Sequence, residues 1–425
     1  MKNSINGTSG VISSDYVLTH AQFQQLLVLI HSINGITSIS KLIKQMADIL
    51  QEVIPCARCL VWVYHPKKEC LWTVIDNRRI VVNPKNSLAG KAFFDKKSQI
   101  ISKPAEDKLY NNETDSITGA STGYMLCYPV KDVDDNVLAV IQLMNTIIHP
   151  VTPAMMNLVS EFSQVVSGTF LTAQKNEETQ NAFDSLVDTI SRVLDTRDYI
   201  TSGHSRRVTL YALELARQMN LDAREIELLR YAGLLHDIGK IGIPELILLK
   251  NKRPSDDEFE MLKRHAALTR NILKKIYFPD RLNEVVEIAA THHERINGTG
   301  YPQGLSGEQI PRGGKILAVC DVFDALTSRR PYEDRMPIME VINILDKEVN
   351  ESFEPFMIYH FKNIPLNRIV QILEFGHSED LDEADLEYFK SYTLNDLNGL
   401  ENIKTDEQQK LENTFMRYYS RQYRS

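Results

Sequence analysis

Leu234-Leu235-His236-Asp237-Ile238-Gly239-Lys240 sets a histidine and an aspartate side by side behind a leucine pair. Burying such a dyad without partners is costly, because each polar group loses its water and gains nothing in return. Taken alone, it reads as a core histidine bonded to a backbone carbonyl, with the aspartate capping a neighbouring segment. The residues around it change that reading. Asp222-Ala-Arg-Glu225 is a capping box that opens a helix, and along it Ile226, Leu229, Gly233 and His236 recur at steps of three, four and three. His236 therefore faces inward.

Outward from this helix, residues 196–375 read as successive amphipathic helices with no strand pattern, an all-α domain. Val208, Ala212, Leu215 and Met219 make one stripe. Ser255-Asp-Asp-Glu258 is a second capping box, and beyond it His265 shares a face with Met261, Leu268 and Ile272. Leu282, Val285, Val286 and Ala289 lead into His292-His293, and Asp321 lies among Ile316, Val319, Cys320, Phe323 and Leu326.

Five histidines (His204, His236, His265, His292, His293) and two aspartates (Asp237, Asp321) thus lie at inner faces or ends of packed helices. Unpaired, they are untenable in one core. Neutral imidazole and carboxylate are what divalent transition ions take as ligands. Seven ligands exceed the needs of a single ion, so two ions per chain are expected, with the two oxygens of Asp237 bridging them. Two ions about 3.5–4 Å apart can activate water and clamp a phosphodiester. Lys240, one turn beyond the dyad, is placed to hold a phosphate oxygen, the alternative being a solvated surface lysine. Gly298 and Gly300 permit close backbone approach to a ligand or form a plain tight turn. Tyr301 stacks on a base or locks that loop.

The chain before this domain alternates differently. Residues 21–50 carry apolar positions at helical spacing (Phe23, Leu26, Leu27, Ile30, Ile43, Met46, Leu50). Cys59–Tyr64, Leu71–Ile75, Tyr124–Val130 and Val137–Met144 read as strands joined by polar turns. Thr152 and Pro153 open a further helix as N-cap and first residue. Helix, antiparallel sheet, helix over residues 20–172 is an α+β sandwich, preceded by a polar tail at 1–19. Between the two domains, residues 173–195 form a helical connector. Phe162, Val166, Phe183, Val187, Ile190 and Leu194 fall on heptad-like steps, which suits a homodimer seam or an intradomain helix. Residues 376–425 open acidic and end basic and aromatic, a docking helix or an appendage on the core.

Composition bounds the function. A net charge of −8 argues against binding a nucleic-acid polymer, and no apolar run reaches membrane-spanning length. The polar N-terminal stretch lacks a signal-peptide core, which leads to an expectation of a cytoplasmic protein. Five cysteines without a paired spacing read as reduced thiols rather than a zinc site.

His236-Asp237-Ile-Gly-Lys240 resembles the signature of the HD metal-dependent phosphohydrolases. His292-His-Glu-Arg-Ile-Asn-Gly298-Thr-Gly300-Tyr301-Pro302 is similar to the HD-GYP subfamily, as are Arg206, Ile241-Gly-Ile-Pro244, Pro311 and Asp321–Thr327. The resemblance implies hydrolysis of cyclic di-GMP to pGpG and on to GMP, with iron or manganese as the metal. It implies the seven residues above as ligands, Asp237 and Lys240 as catalytic residues, and Lys240, Gly298, Gly300, Tyr301, Arg330 and Arg335 as substrate contacts.

Residues 20–172 resemble a GAF domain through Ser87-Leu-Ala-Gly90-Lys-Ala-Phe93 and Gln142-Leu-Met-Asn145. The loop Tyr110–Gly119 is similar to that of cyclic-nucleotide-binding members, which implies Asn111, Asp115 and Thr118 as ligand contacts. A GAF domain that only dimerises remains the alternative.

Three departures from the HD-GYP pattern bear on activity. Ile200 stands where three-metal members carry a glutamate, so two ions are expected. Glu333 follows Arg330-Pro-Tyr where a cation is usual, with Arg335 as its substitute. Ile296-Asn297 replaces a Trp-Asp pair. The resemblance therefore leads to a cyclic dinucleotide phosphodiesterase under GAF control. The other readings are a weakly active or inactive nucleotide receptor, or an enzyme for a related cyclic dinucleotide.

Overall fold

The computed structural model describes residues 32–33, 35–36, 38–54, 56–110, 122–146, 151–197, 203–250, 254–328, 335–398 and 405–420. The chain divides into two units, Met1–Ala182 and Phe183–Ser425. No helix among the described residues is long and apolar enough to cross a membrane.

In the first unit, α1 (Ile39–Val53) buries Leu42, Ile43, Met46, Ile49 and Leu50, the positions that helical spacing puts on one side. The expected helical residues from Phe23 to Ile30 lie outside the described residues. A six-stranded sheet follows: β1 (Cys56–His65), β2 (Cys70–Ile75), β3 (Arg78–Val82), β4 (Gln99–Ile101), β5 (Met125–Lys131) and β6 (Val137–Thr146). Its order is β3-β2-β1-β6-β5-β4, with neighbours antiparallel throughout. Alternation along β1 decides the two faces. Cys59, Val61 and Val63 enter the core shared with α1, while Leu60 and Trp62 join the core under α2 (Leu88–Asp95). Strands β3 and β4 had no counterpart in the sequence reading. β3 is a five-residue edge strand with mostly exposed side chains and β4 has three residues, so neither carries an apolar alternation to read.

Helix α3 (Pro153–Arg197) runs for 45 residues and is capped where expected, with Met155 N donating to Thr152 Oγ1 at 3.2 Å. Its apolar residues do not form a free seam. Phe162 and Val166 are buried in the first unit's core, and Val187 and Leu194 in the second unit's, with Phe183 and Ile190 packed beside them. The dimer seam read from those six residues is thus corrected: each is already covered within its own unit.

The second unit has no strand among its described residues. After α3 come α4 (His204–Gln218), α5 (Ala223–Leu235), α6 (Glu245–Leu248), α7 (Asp256–Leu273), α8 (Val285–Ala290) and α9 (Arg312–Thr327). Then follow α10 (Ile338–Lys347), α11 (Pro355–Lys362), α12 (Leu366–Leu373), α13 (Glu383–Phe389), α14 (Leu394–Asn398) and α15 (Asp406–Tyr419). Both expected capping boxes are formed, Asp222 with Glu225 and Ser255 with Glu258. Tyr211, Phe323 and Phe361 stack edge to face at the centre, 5.1 and 4.8 Å between successive ring centroids. Phe389, Leu411, Phe415, Tyr418 and Tyr419 enter the same core, so the described helices after residue 375 are an integral part of this unit.

Candidate metal centre

Five elements deliver the seven residues. His204 opens α4, His236-Asp237 follow the last residue of α5, His265 lies within α7, His292-His293 follow α8, and Asp321 lies within α9. One contact sets how closely α5 and α7 approach. A Cβ at Gly239 would lie 1.9 Å from the His265 carbonyl oxygen, so only glycine lets the turn after Asp237 lie on α7. Thr269 then ties the two together. Its hydroxyl donates to the His236 carbonyl at 2.8 Å and accepts from Gly239 N at 3.0 Å.

His204 Nε2 lies 3.0 Å from Asp321 Oδ1 and 3.7 Å from Asp237 Oδ2, and His236 Nε2 lies 3.4 Å from that same Oδ2. The other oxygen of Asp237, Oδ1, faces His265 Nε2 at 3.4 Å and His292 Nε2 at 4.0 Å. His293 Nδ1 lies 3.8 Å from Asp321 Oδ2. The seven residues fall into three overlapping groups, each with its ligand atoms within 4.8 Å of one another: His204, His236 and Asp321; His236, Asp237 and His292; His265, His292 and His293. Asp237 thus turns one oxygen toward each of two histidine sets.

The histidine nitrogens fit metal ions. The Nδ1 atoms of His236, His265 and His292 each lie 2.7 Å from a backbone carbonyl, those of Gly233, Leu262 and Ala289. A carbonyl only accepts, so each Nδ1 carries the proton and each Nε2 presents a lone pair. His236 Nε2 is fully buried and has no hydrogen-bond partner. His265 Nε2 and His292 Nε2 face each other at 3.3 Å, two acceptors with nothing to donate between them. Such an arrangement is unfavourable in a bare protein and is satisfied by cations.

His204 is oriented differently, by Asp324. Its Nδ1 lies 2.8 Å from Asp324 Oδ2, and Arg207 Nε donates to Asp324 Oδ1 at 2.7 Å. Asp324 is fully buried. The sequence reading passed over Asp324 and Arg207. The signal was there: Asp324 lies three residues after Asp321, one turn along the same helix. Ionisation follows the charges. Burial opposes a charge on His204, but its hydrogen bonds to the carboxylates of Asp321 and Asp324, which accept from the ring, outweigh it and lift the imidazole to about 10. Burial pushes His293 down to about 3 and His292 well below the usual range. Burial disfavours the Asp237 carboxylate, yet Lys240 and His236 hold it well below the ordinary value.

Lys240 is no solvated lysine. Its Nζ lies 2.8 Å from Asp237 Oδ2, in a cleft also lined by Asp195 and Arg197. Gly298 has φ +79, and a Cβ at Gly300 would lie 2.4 Å from Arg295 N, so both serve the turn and press it onto its own backbone. Glu294, buried and unremarked in the sequence, pins that loop by accepting from Gln303 N at 2.8 Å and Leu305 N at 2.9 Å. The Tyr301 ring lies against His293, 4.7 Å between centroids.

Arg335 is not brought to the centre. Its guanidinium donates to the Tyr419 carbonyl at 3.0 Å and to Glu374 Oε1 at 3.2 Å, enclosed by the C-terminal helix, so its expected substrate contact is corrected. Arg330, Glu333 and Ile200 lie outside the described residues, as do Asn111, Asp115 and Thr118. In the first unit, Trp62, Ser87, Tyr110, Met125 and Gln142 line a cavity of about 30 Å³, where Trp62 Nε1 donates to Gln142 Oε1 at 2.6 Å.

Family models match residues 38–170 as a GAF domain and residues 188–356 as an HD domain. The chain joins a GAF domain to an HD domain. The chain is 37% identical over 176 residues to a cyclic di-GMP phosphodiesterase of Thermotoga maritima, covering 41% of this chain and 48% of that one. It is 35% identical over 172 residues to 3'3'-cGAMP-specific phosphodiesterase 3 of Vibrio cholerae, covering 40% and 37%. A cyclic di-GMP phosphodiesterase of Pseudomonas aeruginosa is 41% identical over 162 residues, covering 38% of each chain. The matched region spans less than half the length of these relatives.

Proposed function

We propose that this chain hydrolyses a phosphodiester bond of a cyclic dinucleotide at a two-metal centre in its HD domain, under control of its GAF domain. Cyclic di-GMP is the first substrate to test and 3'3'-cGAMP the second, since relatives named for each resemble the domain to a similar degree. The observation that carries this reading is the placement of Asp237, one carboxylate oxygen toward His204 and His236 and the other toward His265 and His292.

Two bound ions, iron or manganese, would supply a nucleophile from water and neutralise charge developing on the phosphoryl group. His204, His236 and Asp321 would hold one, His265, His292 and His293 the other, and Asp237 both. The backbone carbonyls behind His236, His265 and His292 keep each Nε2 aimed inward. Lys240 holds its ammonium beside Asp237, where it offers positive charge to a phosphate oxygen. Tyr301 packs on His293 and holds that ring at the edge of the centre.

The direct test incubates protein loaded with manganese, or with ferrous iron under nitrogen, with each cyclic dinucleotide and separates the products. Linear dinucleotide is expected, followed by mononucleotide. No linear product from either substrate with either metal would overturn the proposal. The enclosure of Arg335 favours a second reading, a receptor that binds nucleotide and turns it over poorly. Arg335 is the residue that the sequence offered in place of the cation usual at Glu333, and it is held by Tyr419 and Glu374 instead. Turnover restored by Glu333→Lys would assign the weakness to substrate grip, and unchanged inactivity would support the receptor.

The proposed partner is a second copy of the chain. The face of α3 open to it carries Leu186 and Val193, one heptad apart and 62% and 60% exposed.

A further inference from the structure

A cyclic dinucleotide carries two phosphates and two bases, and a metal pair clamps one phosphate. Arg335, one of the cations that the sequence offered for the other half, is enclosed by the C-terminal helix. A different set of groups continues outward from the centre. The Tyr301 ring lies 4.7 Å from that of His293, Lys263 Nζ lies 5.7 Å from the Tyr301 centroid, and the same ammonium lies 5.0 Å from the Phe259 centroid. Phe259 and Lys263 are four residues apart on α7, the helix that carries His265, so one helical turn sets them side by side.

Phe259 is 49% exposed. A single exposed phenylalanine is ordinary on any surface. This one is joined through a cation and a second ring to a histidine of the metal centre. Lys263 also contacts Glu260 Oε1 at 2.6 Å, across an exposed pair three residues apart that contributes little to stability. An ammonium has three donors, so it can keep Glu260 and still meet a phosphate oxygen.

We propose that Phe259, Lys263 and Tyr301 form the wall that receives the purine nucleotide half of the substrate lying away from the metal centre. Phe259 stacks on the base, Lys263 pairs with the second phosphate, and Tyr301 connects this wall to His293. The inference rests on the reading that the substrate is a cyclic dinucleotide. A ring face stacks on any purine and a lysine is a point charge, so the wall selects a purine dinucleotide over a simple phosphodiester without separating guanine from adenine.

The test compares kcat/KM for cyclic di-GMP with that for bis(p-nitrophenyl) phosphate, a diester with neither purine nor second phosphate. In Phe259→Ala and in Lys263→Met the ratio between the two substrates is expected to fall about tenfold relative to the parent, through KM, as the loss of one base stack or one phosphate contact implies. A separate Phe259→Trp variant adds a third tryptophan to a chain whose two others, Trp62 and Trp72, lie in the first domain. Its added fluorescence is expected to be quenched by cyclic di-GMP. An unchanged ratio in both variants, in a parent that hydrolyses the dinucleotide and with no quenching, would overturn this inference alone. A parent that neither hydrolyses nor binds a cyclic dinucleotide would overturn the proposed function and this inference with it.

Discussion

Asp324 shows how much of a metal site lies behind its ligands. It touches no second histidine, yet it holds His204 by Nδ1 and is itself held by Arg207 and Ser328. Asp324→Asn keeps the shape and removes the charge. Metal affinity is expected to fall about 10–100-fold, the usual cost of losing an outer partner of a ligating histidine, and metal titration of the purified protein checks it. Titration of the metal-free protein has a definite sign as well. His293 has a folded value near 3 against an ordinary 6.5, so the unfolded chain binds its proton first and stability falls as pH drops from about 6.5 toward 3. Burial opposes the Asp324 carboxylate, but Arg207 and His204 outweigh it and set a value near 2, so its contribution is present above about 3.8 and is lost toward pH 2. His204, raised to about 10, contributes fully below 6.5 and loses its contribution as pH rises through 10. Thermal melts in chelator should therefore show highest stability near neutrality and a decline beginning below about pH 6.5. In His293→Gln that acid-side decline should be shallower.

At the next scale, the elements that carry the ligands are held by small residues and short ties. Gly239→Ala would drive a methyl into the His265 carbonyl and separate the turn after Asp237 from α7. A loss of about 3 kcal/mol is expected, as for other overpacked sites, measurable by denaturant unfolding. Helix α3 is tied to the same elements. Asp184 accepts from Tyr231 and from Arg230, Asp188 accepts from Arg206 at 2.8 Å, and Arg197 donates to the Ile243 carbonyl at 3.1 Å. The last turns of α3 thus grip α4, α5 and the turn bearing Lys240, which is how a shift in this helix would reach the metal ligands. Its outward residues give the dimer prediction. Leu186→Asp combined with Val193→Asp is expected to convert a dimer into a monomer in sedimentation, and an unchanged dimer would place the contact elsewhere.

For the whole molecule, the expectation is two ions per chain. Elemental analysis of protein purified without air should return about two, and three would contradict the reading of Ile200. Chelation should lower the melting temperature of the HD domain and leave that of the GAF domain in place, because an ion that binds only the folded state stabilises that state alone. The same melts with cyclic AMP or cyclic GMP test the GAF domain. The described lining of its cavity offers an indole, an amide, a hydroxyl, a phenol and a thioether and no cation, so a ligand seated there would be held mainly by stacking and neutral hydrogen bonds.

The sequence by itself determined the two domains, the all-helical character of the second, the capping boxes and the seven inward-facing residues of the candidate centre. Each of these follows from local periodicity or from a short motif, which depends only on neighbours along the chain. Periodicity states that a residue points inward without saying what it meets there. Phe183, Val187, Ile190 and Leu194 read equally well as a dimer seam or a core face, and tertiary packing placed them in the core. Arg335 read as a substrate cation until the C-terminal helix closed over it. Asp324 acquired its task only when His204 reached it across 120 residues, and Glu294 when its own loop folded back to bring Leu305, 11 residues on, to its carboxylate. Which inward residue meets which is fixed by burial of the whole apolar surface at once, so only the folded chain decides it.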